Sequence, residues 1–143
     1  MISFELNQLT GQTVSTRDVK KWLSKVDQVL KLKKDLGISI AIVGLVAMKK
    51  LNHTYRGRDK VTDVLSFGEM DGMVEKHFTP KNYLGEVVIC YPQAVKQAKT
   101  AKHSVQKEIQ TLLVHGTMHL LGYDHEVDSE AQVMEALEKK MLE

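Results

Sequence analysis

Apolar and polar positions alternate in some stretches of the chain and recur at helical spacing in others. Residues 2 to 6, ISFEL, alternate and predict a short strand. In STRDVKKWLSKVDQVLKLKKDLG, Val19, Trp22, Leu23, Val26, Val29 and Leu30 form a helical stripe. Ser15 or Thr16 can cap that helix and Gly37 supplies its stop. ISIAIV, from Ile38 to Val43, is β-branched and predicts a strand. LVAMKKLNHTYRG predicts a short helix ending near Gly57, and KVTDVLSFG, from Lys60 to Gly68, mixes β-formers with turn residues and holds a further strand. Residues 69 to 83 read as a loop with Gly72 and Pro80. YLGEVVICY, from Tyr83 to Tyr91, predicts a strand ended by Pro92, which opens a helix running to about Lys102. Another helix begins near Ser104 and reaches Leu121, where Gly122 stops it. The last, capped by Asp128 or Ser129, runs to about Leu142. The expected architecture is α+β, one domain over residues 1–143, with a small mixed sheet packed against four or so helices.

Composition narrows the setting. A hydrophobic fraction of 43% and a charged fraction of 27% are those of an ordinary globular protein. Cys90 is the one cysteine, so no intrachain disulfide can form, which favours a reducing compartment. The N-terminus lacks the apolar core of a secretory signal. The longest apolar run, GISIAIVGLVAM, falls short of the roughly 20 residues that cross a bilayer. A cytoplasmic protein without a membrane partner is expected. The net charge of +2 is unevenly spread: residues 124–143 carry seven acids and two bases, −5, leaving +7 on the rest. A basic body with an acidic end suits a polyanion such as nucleic acid. The end itself reads equally well as a solvated acidic helix.

The chemistry concentrates in HGTMHLLGYDH, residues 115 to 125. On a helix at 100° per residue, Val105, Ile109, Leu112, Leu113, Gly116 and Leu120 share one arc, the expected buried face. His115 and His119 lie at its edge, one turn apart, so both imidazoles can share an ion. Gly116 inside the stripe implies close backbone packing, because glycine costs a helix interior about 1 kcal/mol. Gly122 can turn the chain with positive φ and bring His125 to the same ion. Three imidazoles with one position left open are the donor set of a catalytic zinc. In metzincin proteases the spacing is H-E-x-x-H-x-x-G-x-x-H. His115, His119, Gly122 and His125 match it, but Gly116 stands where the protease carries its general base. A water-activating site without the peptide-cutting glutamate could attack a phosphodiester.

HGTMHLLGYDH resembles the H-G-x-L-H-L-x-G-Y-D-H signature of the YbeY family, bacterial rRNA maturation factors, with Met118 replacing leucine. LNHTYRGRDKVTDVLSF resembles the family's N-x-x-Y-R-x-x-D-x-P-T-D-V-L-S-F segment, with Val61 in place of proline. LGEVVIC resembles its L-G-D-I-x-I strand, with Glu86 in place of aspartate. The resemblance implies a zincin-like fold with its metal site on one helix and the following turn. It also implies one Zn2+ held by His115, His119 and His125. The activity implied is a single-strand-preferring endoribonuclease acting in 16S rRNA 3′-end maturation and ribosome quality control. Its partners would be rRNA and the small ribosomal subunit.

Arg56 would read as a solvated arginine on its own; the resemblance marks it as functional, and a guanidinium binds phosphoryl oxygens in a fork. Arg56, Tyr55, Arg58 and Lys60 belong to a basic stretch with Lys49, Lys50 and His53, suited to phosphates and one stacked base. Arg58 and Lys60 individually read equally well as exposed charges. Asp124 could accept a ligand's second ring N–H or simply favour the turn. Glu86 could carry a proton, anchor a ligand, or face solvent. Two rivals remain: a metalloprotease-like hydrolase without its glutamate, and a non-enzymatic ribosome assembly factor with a structural zinc.

Overall fold

The structure is a computed structural model and describes residues 1–68, 82–124 and 126–143. Most of the predicted 69–83 loop, and His125, lie outside the described residues. In chain order the elements are β1 (Ile2–Gln8), α1 (Thr16–Leu30), β2 (Leu36–Val43), α2 (Leu45–Arg56), β3 (Val64–Gly68), β4 (Tyr83–Cys90), α3 (Tyr91–Ala101), α4 (Val105–Leu120) and α5 (Asp128–Met141).

Local chemistry accounts for most boundaries. Ser15 caps α1 by accepting from the Asp18 N–H. The predicted stop at Gly37 is six residues late. Lys31 adopts the left-handed region at φ 52° and closes the last turn with its N–H on Asp27 O, while Gly37 lies inside β2. Gly57 ends α2 at φ 67°, and Ser104 caps α4 by accepting from Lys107 N–H. α5 departs from the predicted cap. Val127 stands at its N-cap without a side-chain bond, and Asp128 is already helical. Asp128 and Glu130 sit in the first turn, where carboxylates favour the helix dipole.

The strands form one mixed sheet in the order β1-β2-β4-β3. β1, β2 and β4 run parallel, and β3 pairs antiparallel with β4 as an edge strand. The interior strand β2 is apolar on both faces, as parallel strands covered on both sides are. On one face Ile38, Ile40, Ile42, Val87 and Ile89 pack against α1, α4 and α5 through Leu23, Val26, Leu113, Met118 and Met134. On the other, Ala41, Val43, Leu65, Phe67, Val88 and Cys90 meet Met48 of α2. Trp22, from the predicted helical stripe, and the helical methionines Met48, Met118, Met134 and Met141 are buried. No helix among the described residues is long and apolar enough to cross a membrane.

α4 is buried over a wider arc than its apolar stripe predicts. Glu108, Val114, Thr117 and Met118 join Ile109, Leu112, Leu113 and Gly116 in the interior, whereas Val105 and Leu120 are only partly covered. α4 lies between the sheet and the flanking helices, and the histidines sit on a flank that is only partly covered.

Candidate metal and phosphate site

α4 approaches the sheet at Gly116. Val87 of β4 and Ser66 of β3 pair across the strands and meet the helix there. A β-carbon on residue 116 would lie 2.7 Å from Val87 Cγ1 and 3.0 Å from Ser66 Oγ. The Ser66 hydroxyl donates to Gly116 O at 3.1 Å, fastening helix to strand. This close approach turns His115 and His119 outward into a cleft of about 780 Å³ between α4, β3 and α5.

Within the cleft, His119 Nε2 and His115 Nε2 are 3.1 Å apart, with the rings near perpendicular at 83°. The other nitrogen of His115, Nδ1, is 3.0 Å from Glu138 Oε2 of α5. That carboxylate raises the His115 pKa above the usual imidazole value, against the opposing effect of burial. Two nitrogens bound to one tetrahedral zinc at about 2.0–2.1 Å stand roughly 3.3 Å apart. The convergence of the two Nε2 atoms, and the imidazole chemistry of the pair, therefore fit a shared cation. No group of three His, Cys, Asp or Glu side chains placed to hold a metal occurs among the described residues, and His125 lies outside them.

Arg56, the last residue of α2, reaches the same cleft around the sheet edge. Cys90 N–H donates to Asp63 O, so alternate carbonyls of β3 face outward, including that of Ser66. The Arg56 guanidinium donates from Nη2 to this carbonyl at 2.9 Å and lies 4.9 Å over the Phe67 ring. Main-chain and cation–π contacts thus hold it between the edge strand and the cleft.

The remaining sequence candidates divide. Asp124 lines the cleft beside the histidines. Tyr55, Arg58 and Lys60 are exposed and lie outside the cleft lining. Tyr55 packs its ring edge on Phe67, and the Lys60 carbonyl accepts from buried Asn52. Glu86 neighbours Val87 on β4 and pairs with Phe67, so it points to the α2 face. The sheet separates it from the histidine pair, which removes it as their anchor.

Among the polar cleft residues that the sequence does not single out are Asp63, Ser66, Glu108 and Glu138. Asp63 and Ser66 sit inside the TDVLSF block, which was signal enough to single them out. Asp63 accepts from Val64 N–H and Gln97, and Glu108 accepts from the same Gln97 and faces His103 at 2.6 Å. These bonds tie α3 and α4 to the start of β3. Glu138 lies in the acidic end of the chain, where nothing local distinguishes it. Arg56 is the one cationic side chain among the described lining residues, facing Asp63, Glu108, Asp124, Glu126 and Glu138.

A family model described as Endoribonuclease YbeY matches residues 2–143. The chain is 45% identical over 128 residues to the Endoribonuclease YbeY of Dehalococcoides mccartyi, covering 82% of this chain and 74% of that protein. It is 42% identical over 138 residues to the Endoribonuclease YbeY of Thermodesulfovibrio yellowstonii, covering 96% and 82%. The solution structure of TM1509 from Thermotoga maritima superposes with a TM-score of 0.64 at 27% identity, covering 99% of this chain and 87% of that one.

Proposed function

The chain belongs to the Endoribonuclease YbeY family, and on that premise we propose that it is a zinc-dependent endoribonuclease. Its substrate is single-stranded RNA, and its cellular work is 16S rRNA 3′-end maturation and ribosome quality control in the cytoplasm. The observation that carries this reading is the 3.1 Å convergence of the His115 and His119 ring nitrogens in one cleft with Arg56.

His115 and His119, with His125 as the third imidazole of the sequence motif, would hold the ion. Bound zinc supplies Lewis acidity toward a phosphoryl oxygen and toward water. The chain's own contribution is placement. Arg56 pairs in a fork with non-bridging phosphate oxygens and offsets the negative charge that builds on them. Its bond to Ser66 O and its seat on Phe67 restrict the guanidinium before substrate arrives. The acidic lining repels a polyanion everywhere else, so a phosphate is favoured only between Arg56 and the histidine pair. Outside the cleft, exposed Lys49, Lys50, Arg58 and Lys60 attract the RNA backbone, and half-exposed Tyr55 offers a face for one base.

A peptidase needs a general base after the first histidine. Residue 116 is glycine, and the packing against Val87 leaves no room for a glutamate there. The decisive experiment is cleavage of an rRNA precursor and an unstructured RNA by zinc-loaded protein. The wild type should cut both, and the chelator-treated protein and His119→Ala should cut neither. Equal cutting by His119→Ala would refute the reading.

A further inference from the structure

We propose that Glu138 is the positioning residue of the His115–His119 cation site, so that docking of α5 and cation binding are thermodynamically linked. This rests on the metal reading above. An ionised carboxylate only accepts, so the proton between Glu138 Oε2 and His115 Nδ1 belongs to the imidazole. A neutral imidazole has one N–H. With that proton on Nδ1, His115 Nε2 carries a lone pair, and Nε2 is the atom facing His119 Nε2. Glu138 therefore selects the ligating tautomer and fixes the ring about its own axis.

The carboxylate is itself held. Its side chain is 15% exposed, against 34% for His115, so water competes weakly for the bond. Met134 and Met141, four residues before and three after Glu138, share its helix face and are 1% exposed. Lys107 Nζ donates to Leu142 O at 2.7 Å, tying the end of α5 to the first turn of α4. α5 thus sets where the carboxylate stands. If docked α5 raises the affinity of the two histidines for a cation, the bound cation must by reciprocity favour docked α5 by the same factor.

The test is Zn2+ titration against a competing chelator, joined to hydrogen exchange of α5 amides with and without Zn2+. Glu138→Ala should weaken zinc binding roughly 10- to 100-fold. Glu138→Gln keeps a carbonyl to accept from Nδ1 and should fall between Glu138→Ala and wild type. Zn2+ should slow α5 exchange in wild type and leave it unchanged in Glu138→Ala. A merely structural glutamate would lower the melting temperature of the metal-free protein while the folded fraction bound zinc normally. Folded Glu138→Ala with wild-type zinc affinity overturns the inference. Should Glu138→Ala fail to fold, wild-type exchange decides, and α5 amides that Zn2+ leaves unprotected overturn it. If wild type binds no zinc, or His119→Ala binds it equally well, the metal reading fails first and takes Glu138 with it.

Discussion

Gly116 and Val87 meet with no space for a side chain between them: a β-carbon on the glycine would come within 2.7 Å of Val87 Cγ1. Val87 is buried on an interior strand and its branched side chain is stiff, so the strain cannot be relieved by a rotamer change. Gly116→Ala gains about 1 kcal/mol of helix propensity but overpacks the interface by about 1–3 kcal/mol. A net loss of stability follows, read as a lower urea midpoint. Gly11→Ala, with nothing within 4 Å of its added carbon, should lose nothing by contact. An unshifted midpoint in Gly116→Ala would show that helix and sheet do not touch as described.

Arg56 is exposed at the rim, donates to the Ser66 carbonyl and lies over the Phe67 ring. Losing the bond to that carbonyl in Arg56→Ala should lower stability by about 1 kcal/mol. RNA cleavage should fall about 100- to 1,000-fold, the loss typical when one charge-stabilising donor is removed. Arg56→Lys keeps the charge without the fork and should recover only part of that loss. Zinc content, measured by atomic absorption, should be that of wild type in both variants. Undiminished cleavage by Arg56→Ala would remove the guanidinium from the chemistry.

His119→Ala removes one of the two converging nitrogens. Bound zinc should fall to background, and cleavage should not return when Zn2+ is added in excess. Wild type stripped by chelator should recover on adding Zn2+. Stoichiometric zinc in the variant would mean the ion sits elsewhere.

Cys90 is fully buried between β4 and α2, and burial raises its thiol pKa. The raised value stabilises the protonated thiol in the folded chain. This contribution is complete below the thiol's unfolded pKa and is lost as pH rises through the higher folded one. At pH 8 a thiol reagent should leave native protein unmodified and react fully in guanidinium. Above the ordinary thiol range, stability should decline with pH in wild type, and more shallowly in Cys90→Ala. Rapid labelling of the native protein would contradict the burial.

What could be read from the chain is what short-range chemistry decides. Ser15 and Ser104 sit one residue before their helices, and β2 is apolar but for Ser39, which is buried and accepts from the Tyr83 hydroxyl. Gly57 marks the end of α2 as a flexible residue should. Two helix ends are set locally by residues whose side chains carry no signal: α1 stops at Lys31 in a left-handed turn, and α5 starts after a valine that makes no cap. Elsewhere the deciding group is distant. Gly116 announced tight packing, but not that Val87 and Ser66 were the neighbours. The letters leave Glu86 open between proton carrier, ligand anchor and solvent-facing strand residue, and the pleat of β4 places it on the face away from the histidines. Glu138 meets His115 from 23 residues away, in a segment whose charges look like ordinary solvated surface.

Arg56 is held by a main-chain oxygen of residue 66, and that choice of partner determines which sequence changes the site can absorb. Ser66→Ala would release the bond to Gly116 O but keep the carbonyl that holds the arginine. A slip of β3 by one residue along β4 would turn the Ser66 carbonyl into the ladder and set a different peptide group on the outer rim. The arginine's seat is therefore guarded by whatever holds strand register, chiefly buried Leu65 and Phe67.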